Sequence, residues 1–381
     1  MAEPLVVFLP GIMGSRLRLQ LQQGAKMLWS ENASDIVVNL INNSSLYQYT
    51  QGTPVIADGV LEGVNFKGYA LDNFYGLLLT RLRDLRRQGR FALEEFAYDW
   101  REDIYDTARK LGEMLVARHA FVMDDEGYQA EERERRLTIV AHSMGGLVTA
   151  VAVTKGYIHP RNVKQIICIG TPFLGAPAAF RGLYSTGYLP GINWLQTIVS
   201  PRRNRRACRD ALLRAMQSFL SVHQLLPPAG QPFVQISGNG HINPLSGPMV
   251  SNTAKSTAQR SHLLISQLEK TLTDNQVDYR LIFGVAPRKG IIQSVKGWAF
   301  PNSNLDTDFQ FKASIGATGL GGPTYFIKGI LPTEGDGTVP VHSAALNDPY
   351  DTTKRFGVVG VKHASMCNNK DVVNDVEQWL P

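Results

Sequence analysis

The sequence predicts an α/β fold built from a mostly parallel sheet with helices on both faces and with cap and lid insertions. Short, nearly continuous apolar runs, such as Leu5–Leu9 and residues 137–140, have the pattern of strands buried on both faces. These runs alternate along the chain with segments of helical character. Alternating strands and helices are typical of a parallel sheet that is covered by helices.

At 381 residues, the chain is too long for one simple core. A single hydrophobic core usually stops growing at about 250–300 residues. Residues 20–75 show no sustained period and contain many Asn, Ser and Gly residues, and residues 178–265 form a second long excursion. We therefore predict one domain over residues 1–381, with a cap portion at 20–75 and a lid or cap portion at 178–265.

The predicted elements follow each other in a regular order. In the first half of the chain, we expect strands at residues 5–9, 91–98 and 137–140, and helices at 72–87, about 104–115 and 147–155. In the second half, we expect strands at 165–169, 277–285 and 355–361, a short strand or hairpin arm at 324–330, and a C-terminal helix from about 369 to 380. The first two helices are predicted from apolar residues at helical spacing.

The most informative local pattern is the turn after the strand at 137–140. The strand continues into residues 141–146 (Ala-His-Ser-Met-Gly-Gly), and a helix-like segment follows directly. A small-x-Ser-x-Gly turn between a strand and a helix is typical of the nucleophile elbow of α/β-hydrolases, in which a strained turn presents the serine, here Ser143. Ala141 stands where the first glycine is usual. The alternative is an ordinary Gly-rich turn with a bystander serine.

A serine nucleophile needs a base, and in α/β-hydrolases an acid and then a histidine follow it along the chain. Asp336 lies in a Gly-flanked loop well after the strand at 277–285, and His363 lies just past the last strand. We therefore predict Ser143, Asp336 and His363 as the catalytic triad. For Asp336, the alternative is a turn aspartate that only satisfies its own loop.

Other residues compete for these two roles. The side chain of His142 must leave the elbow in a different direction from that of Ser143, and His342 precedes the last strand. The remaining histidines lie in helices or excursions without a strand end to hold them: His119, His159, His223, His241 and His262. The nearest rival acids are Asp99, Glu334 and Asp348.

The negative charge that develops on a substrate carbonyl needs two N–H donors. One should be the N–H of Met144, directly after the nucleophile. The other should come from the loop after the first strand, residues 10–14 (Pro-Gly-Ile-Met-Gly). Ile12 is the first choice in this loop, and Gly11 and Met13 are the alternatives.

Composition is that of an ordinary globular protein, with 44% hydrophobic and 19% charged residues. Three scattered cysteines without metal-like spacing predict reduced thiols, and we expect no cofactor. The N-terminal residues lack a basic segment and an apolar run long enough for a secretion signal, and no run approaches 18 apolar residues. We therefore expect a cytoplasmic protein that can also bind peripherally to a membrane.

A basic run in the second excursion is typical of a membrane-facing surface. Residues 202–209 contain five arginines, among them Arg202, Arg203, Arg205 and Arg206, and an amphipathic segment follows. Near an anionic bilayer, each basic residue contributes about 1 kcal/mol of binding free energy. The alternative is a solvated lid helix with its apolar face on the core. Nucleic acid is not expected, because no aromatic interleaving or binding fold supports it.

Several motifs together resemble the lecithin:cholesterol acyltransferase-like branch of the α/β-hydrolases, which includes a lysosomal phospholipase. Besides the elbow, the matching motifs are Leu9-Pro-Gly-Ile-Met-Gly-Ser, Ala97-Tyr-Asp-Trp-Arg, Ile169-Gly-Thr-Pro-Phe-Leu-Gly-Ala-Pro, Glu334-Gly-Asp-Gly-Thr-Val-Pro and Lys362-His. The resemblance covers nearly the whole chain. It implies the same triad, Ile12 and Met144 as oxyanion donors, a lid over the site, and a structural ion pair between Asp99 and Arg101.

The predicted activity is hydrolysis of lipid acyl esters, of the phospholipase or lipase type, through an acyl-enzyme on Ser143. The substrate would be a lipid or another acyl ester. A close alternative is an acyltransferase that moves the acyl group to an alcohol, since the two activities differ only in what resolves the acyl-enzyme. A second alternative is a catalytically idle, membrane-binding protein with a hydrolase fold.

Overall fold

The structure is a computed structural model of the protein. It describes residues 3–22, 24–42, 44–66, 69–117, 136–184, 210–211, 213–236, 240–247, 250–285, 307–317, 323–346, 348 and 352–381. The basic run at residues 202–209 lies outside the described residues.

The strands and helices follow in chain order. The strands are β1 (Leu5–Leu9), β2 (Ser15–Leu21), β3 (Gly24–Trp29), β4 (Val55–Val60), β5 (Gly63–Phe66), β6 (Tyr69–Asn73), β7 (Ala92–Glu95), β8 (Leu137–His142), β9 (Val163–Ile169), β10 (Val234–Ile236), β11 (Gly240–Ile242), β12 (Asp278–Val285), β13 (Thr307–Ala317), β14 (Pro323–Thr333) and β15 (Arg355–Val359). The α-helices are α1 (Ala33–Asn42), α2 (Gly76–Arg87), α3 (Ile104–Ala117), α4 (Met144–Lys155), α5 (Ala178–Tyr184), α6 (Leu220–Gln224), α7 (Asn252–Ser266), α8 (Leu268–Asp274), α9 (Val341–Ala344) and α10 (Lys370–Trp379). Residues 213–218 are helical as well.

The central sheet contains six strands in the order β15-β12-β9-β8-β1-β7, and every neighbouring pair is parallel. The predicted parallel sheet is thereby confirmed. β8, which leads into the elbow, lies between β1 and β9, and all of its residues are buried. Its nearly continuous apolar sequence follows from this position, because a central parallel strand is covered on both faces.

Helices cover both faces of this sheet. Val7 and Leu9 of β1 share one core with residues of α3 and α4, whereas Val6 and Phe8 share a second core with residues of α2 and α10. Successive side chains of a strand point to opposite faces of the sheet. β1 therefore contributes to both cores, and its C-terminal end enters the loop at residues 10–14.

The predicted cap portion, residues 20–75, contains regular structure. β2, β3 and β4 form an antiparallel sheet, β5 and β6 form a hairpin, and α1 follows β3. The sequence shows no sustained period here because the strands are short and several of their residues are only partly buried. The helix expected at 72–87 begins at Gly76, because residues 69–73 belong to the hairpin.

The predicted lid or cap portion, residues 178–265, differs from a simple lid at its C-terminal end. α7 packs against α4, next to the central sheet, with Ala254, Thr257, Ala258 and Ser261 buried. Such small and hydroxyl-bearing side chains allow close helix packing but give little apolar signal in a sequence. β10 and β11 join the hairpin of β13 and β14 in a second sheet, and the arm expected at 324–330 lies within β14. No helix among the described residues is long and apolar enough to cross a membrane.

Candidate active site

The turn after β8 holds Ser143 in a strained backbone conformation. Its φ is 52° and its ψ is −121°, a region that non-glycine residues rarely adopt. The Ser143 N–H donates to the carbonyl of Ile169 at 2.8 Å, which fixes the turn on β9. A Cβ atom on Gly145 would lie 2.7 Å from the carbonyl oxygen of Leu9, so a larger residue does not fit there. These features are those of a nucleophile elbow.

Ser143, His363 and Asp336 form one chain of hydrogen bonds. His363 Nε2 lies 2.8 Å from Ser143 Oγ, and His363 Nδ1 lies 2.7 Å from Asp336 Oδ2. A carboxylate at Nδ1 accepts the Nδ1–H bond, so Nε2 faces the serine hydroxyl as an acceptor. The structure therefore brings together the three residues predicted from the sequence. In this geometry the imidazole can take the proton of the serine hydroxyl.

The backbone of its own loop fixes the carboxylate of Asp336. Its Oδ1 accepts the N–H groups of Thr338 at 2.9 Å and Val339 at 2.7 Å. The N–H of His363 donates to the Asp336 backbone carbonyl at 2.9 Å. Loop hydrogen bonds thus use Oδ1, while His363 uses Oδ2. A turn aspartate that serves only its own loop does not account for this second contact.

Three aromatic side chains hold the loop at residues 10–14, which follows β1. The Tyr98 hydroxyl donates to the carbonyl of Pro10 at 2.6 Å, and the indole N–H of Trp29 donates to the carbonyl of Met13 at 3.0 Å. The N–H of Gly11 donates to the hydroxyl oxygen of Tyr75 at 2.9 Å. The N–H of Gly11 is therefore already hydrogen-bonded, so Gly11 is excluded from the three residues considered as the oxyanion donor.

The remaining loop donors lie beside the nucleophile. A Cβ atom on Gly11 would lie 2.9 Å from Ser143 Cβ and 3.4 Å from Ser143 Oγ, so the loop packs directly on the serine. Ile12 follows Gly11 and lines the same cavity as Ser143 and His363, as does Met13. Met144 is the first residue of α4, so its N–H has no acceptor within the helix. Ile12 and Met13 therefore remain as the candidate loop donors, beside the N–H of Met144.

His142, the histidine adjacent to the nucleophile in sequence, does not contact Ser143 as a base. Its Nδ1 lies 3.0 Å from the Tyr75 hydroxyl, and its Nε2 lies 3.1 Å from the backbone carbonyl of His363. Burial, with a smaller effect of His363, lowers the pKa of His142 to about 3, so the ring is neutral near pH 7. His223 and His262 contact backbone carbonyls of the lid region instead.

Asp99 and Arg101 form a buried ion pair that supports the cap. Arg101 Nη2 donates to Asp99 Oδ2 at 2.6 Å and Nε donates to Oδ1 at 2.8 Å, while Nη1 donates to the carbonyl of Tyr47 at 3.4 Å. Arg101 is only 1% exposed. Neither residue lines the cavity at Ser143. Within the part of the chain that the structure describes, no cluster of His, Cys, Asp or Glu could hold a metal ion.

The cavity above Ser143 has largely apolar walls. The cap contributes Trp29, Val64 and Phe74, and the lid region contributes Met216, Val222 and Leu225. Ligand sites of this type bury apolar groups and carry a few polar groups at the reacting centre. Here the polar side chains of the lining belong to Ser143, His363, His142, Tyr75 and Thr338, so the cavity suits an apolar group attached to a reactive carbonyl.

The amphipathic segment after the basic run packs on the core where it is described. Leu213, Met216 and Phe219 are buried, and the Phe219 ring contacts Trp100 at a centroid distance of 5.5 Å. This supports a lid helix whose apolar face lies on the protein. Arg202, Arg203, Arg205 and Arg206 lie outside the described residues.

Sequence reasoning missed Tyr75, Tyr98 and Trp29. Tyr98 belongs to the sequence motif at residues 97–101, and this motif could have drawn attention to it. Tyr75 and Trp29 lie in the cap portion, where no motif includes them. Their roles depend on polar groups that reach a distant loop, and sequence spacing does not show such contacts.

The sequence matches known proteins in two comparisons. Residues 2–189 match the PGAP1-like alpha/beta domain family. Lecithin-cholesterol acyltransferase-like 4 of Arabidopsis thaliana is 23% identical over 318 residues, which are 75% of this chain and 54% of the relative. The match thus spans about half the length of that relative. Together the two matches confirm the resemblance to the lecithin:cholesterol acyltransferase-like α/β-hydrolases.

A solved structure with a TM-score above 0.5 has the same fold. A chain in the crystal structure of the Tle4–Tli4 complex superposes with a TM-score of 0.51 at 11% identity, with 100% of both chains covered. Bacillus licheniformis lipase BlEst2 is 14% identical, with a TM-score of 0.38, and covers 100% of this chain and 92% of its own. The predicted α/β-hydrolase fold is confirmed.

Proposed function

We propose that this chain, which resembles the lecithin:cholesterol acyltransferase-like α/β-hydrolases, is a serine hydrolase that cleaves lipid acyl esters of the phospholipase or lipase type. The observation that carries the proposal is the hydrogen-bonded chain Ser143–His363–Asp336 at the base of an apolar cavity. Elbow strain, a base and an oriented carboxylate occur together here, as acyl transfer requires.

Acylation begins when Ser143 Oγ attacks the carbonyl carbon of the ester and His363 Nε2 takes the hydroxyl proton. Asp336 Oδ2 accepts the Nδ1–H bond of His363 and stabilises the imidazolium that forms. The N–H groups of Ile12 and Met144 donate to the oxygen that becomes negatively charged. The tetrahedral intermediate then collapses, the bond to the alcohol oxygen breaks, and His363 gives its proton to the leaving alcohol.

Deacylation repeats these steps with water as the nucleophile. His363 Nε2 takes a proton from the water, whose oxygen attacks the carbonyl carbon of the acyl-enzyme. The bond to Ser143 Oγ then breaks, the fatty acid leaves, and the serine recovers its proton from His363. Both half-reactions use the same donors, so one oxyanion site serves both.

The walls of the cavity support a lipid as the substrate. Trp29, Val64 and Phe74 of the cap and Met216, Val222 and Leu225 of the lid region line the site, and this lining suits an acyl chain. Burial of apolar chain surface contributes about 25 cal/mol per Å². An acyl chain would therefore bind mainly through its methylene groups, while the ester lies at Ser143.

An acyltransferase is the second candidate, because the name of the Arabidopsis relative contains that activity. It would form the same acyl-enzyme on Ser143, and an alcohol would replace water in the second half-reaction.

Contact with an anionic membrane through Arg202, Arg203, Arg205 and Arg206 would bring the site to its substrate. Reversal of these four charges is expected to weaken binding to anionic vesicles, and unchanged binding would contradict the membrane contact.

The deciding experiment is a lipid mass profile after incubation with a total lipid extract, with and without an added alcohol. The matched control is the Ser143→Ala variant. We expect free fatty acids and deacylated lipids from the wild-type protein and neither from the variant. New esters of the added alcohol would favour the transferase. An unchanged profile with folded wild-type protein would contradict both activities and favour a catalytically idle protein.

A further inference from the structure

A second chain of hydrogen bonds runs beside the triad and connects the oxyanion loop with His363. It starts at the N–H of Gly11, which donates to the hydroxyl oxygen of Tyr75 at 2.9 Å. The Tyr75 hydroxyl lies 3.0 Å from His142 Nδ1, and His142 Nε2 lies 3.1 Å from the backbone carbonyl of His363. Two side chains thus link the oxyanion loop to the residue that carries the base.

Chemistry fixes the direction of each of these bonds. The His363 carbonyl can only accept, so His142 Nε2 must carry a proton and donate it. His142 is buried and neutral, so its Nδ1 is unprotonated and accepts. The Tyr75 hydroxyl therefore donates to Nδ1, and its oxygen remains available to accept the Gly11 N–H. Each polar atom of the chain then has a partner of the correct type.

We propose that Tyr75 and His142 are positioning residues that hold the oxyanion loop and His363 in register on either side of Ser143. The proposal rests on the proposed function. The Tyr75 hydroxyl and both ring nitrogens of His142 are used by the chain itself. Both residues line the cavity, and the centroid of the His142 ring lies 5.0 Å from that of the His363 ring.

The surroundings make this link rigid. Tyr75 is 3% exposed, and its ring makes edge contacts with Phe8 of β1 at 5.3 Å and with the His142 ring at 5.4 Å. His142 is 5% exposed. Water therefore does not readily replace a lost hydroxyl, and a buried N–H without an acceptor is costly. Without the Tyr75 hydroxyl, the Gly11 N–H loses its acceptor and the loop should shift. The neighbouring Ile12 N–H should then no longer point at the oxyanion.

The test uses variants that remove single groups from the chain. Tyr75→Phe deletes only the hydroxyl, and His142→Leu removes both ring nitrogens. His142→Gln is the rescue variant, because one amide can both accept from Tyr75 and donate to His363. The control is Tyr47→Phe, which deletes another buried hydroxyl that donates to the Ile36 carbonyl, away from the triad.

Each variant is assayed for kcat and KM on a chromogenic fatty-acyl ester and for affinity toward a trifluoromethyl ketone that forms a tetrahedral adduct with Ser143. Complete loss of one oxyanion donor costs about 100- to 1000-fold in kcat. In these variants the oxyanion donors are shifted rather than lost, so the effect should be smaller. We expect Tyr75→Phe and His142→Leu to lower kcat about 10- to 100-fold, with KM changed less than about threefold. Ketone affinity should fall by the same factor, and the double variant should lose little more than the worse single variant.

His142→Gln and Tyr47→Phe should retain kcat within about threefold of the wild-type value. The positioning role is overturned if Tyr75→Phe and His142→Leu retain wild-type kcat and ketone affinity, or if Tyr47→Phe loses as much activity as they do. A ¹⁵N spectrum of the histidines, with the His142 signal assigned by its absence in His142→Gln, reports the tautomer without activity. Protonated Nε2 and unprotonated Nδ1 are expected, and the opposite tautomer would also overturn the proposal. Inactive wild-type protein with the expected tautomer would refute the proposed function instead.

Discussion

Asp336→Asn changes one atom of the triad and reverses the role of His363. In the wild-type protein, Asp336 Oδ1 accepts two backbone N–H groups, and Oδ2 accepts from His363 Nδ1 at 2.7 Å. The asparagine oxygen should keep the two backbone donors, so its NH₂ group must face Nδ1. An amide nitrogen donates, so Nδ1 must become the acceptor and the imidazole proton must move to Nε2. Nε2 then faces Ser143 Oγ with a proton and cannot act as the base.

The size of the effect follows from this change of tautomer. The same substitution in a serine protease triad lowers kcat about 10⁴-fold, which corresponds to about 5.4 kcal/mol of transition-state stabilisation. We expect a loss of that order here, measured by initial rates on a chromogenic fatty-acyl ester. The melting temperature should change little, because the two side chains have nearly the same shape.

The matched control is Asp348→Asn, which alters an exposed aspartate that competed for the acid role on sequence grounds. It should leave kcat unchanged. A fall in kcat of less than about tenfold in Asp336→Asn would refute the reasoning. A fall of more than about tenfold in Asp348→Asn would refute it as well.

Three further predictions concern stability. Burial lowers the pKa of His142 to about 3, below its unfolded value near 6.5, so the unfolded chain binds the proton more tightly. The free energy of unfolding should therefore fall by up to about 1.4 kcal/mol per pH unit as the pH drops from 6.5 toward 3. Urea titrations at several pH values should show that this free energy depends less steeply on pH in His142→Gln than in the wild-type protein. Arg101→Ala leaves the buried Asp99 carboxylate unpaired and should cost about 3–5 kcal/mol in the same titrations, and a cost below 1 kcal/mol would contradict a buried ion pair. Gly145→Ala places a methyl group 2.7 Å from a β1 carbonyl, so its melting temperature should fall, and an unchanged value with full activity would show that the elbow is less tightly packed than described.

The central sheet was predictable because of where its strands lie. β8 and β9 are buried on both faces, and such strands must be apolar along nearly their whole length. The cap strands β2 and β3 are short and partly exposed, and their sequences carry no comparable period. α7 was missed because it packs through small side chains, which a search for apolar periodicity does not detect.

The candidate triad was accessible from sequence because each member lies in a short motif at the end of a strand, in an order shared by α/β-hydrolases. The oxyanion loop was accessible only in part, since the sequence favoured Ile12 as the donor but left Gly11 and Met13 as alternatives. The hydrogen bond from Gly11 to Tyr75 removes one of the three. That contact joins residues 64 positions apart in sequence, and it depends on how the segment before α2 packs against the elbow. Sequence pattern alone does not contain this information.

Reaction of the protein with a fluorophosphonate probe tests the central claim most directly, because the probe phosphonylates only a serine that a neighbouring base activates. Mass mapping should find the adduct on Ser143 in the wild-type protein. Labelling should disappear in Ser143→Ala and fall strongly in His363→Ala. Absence of labelling in correctly folded wild-type protein, or an adduct on a different serine, would contradict the assignment of Ser143 as the nucleophile.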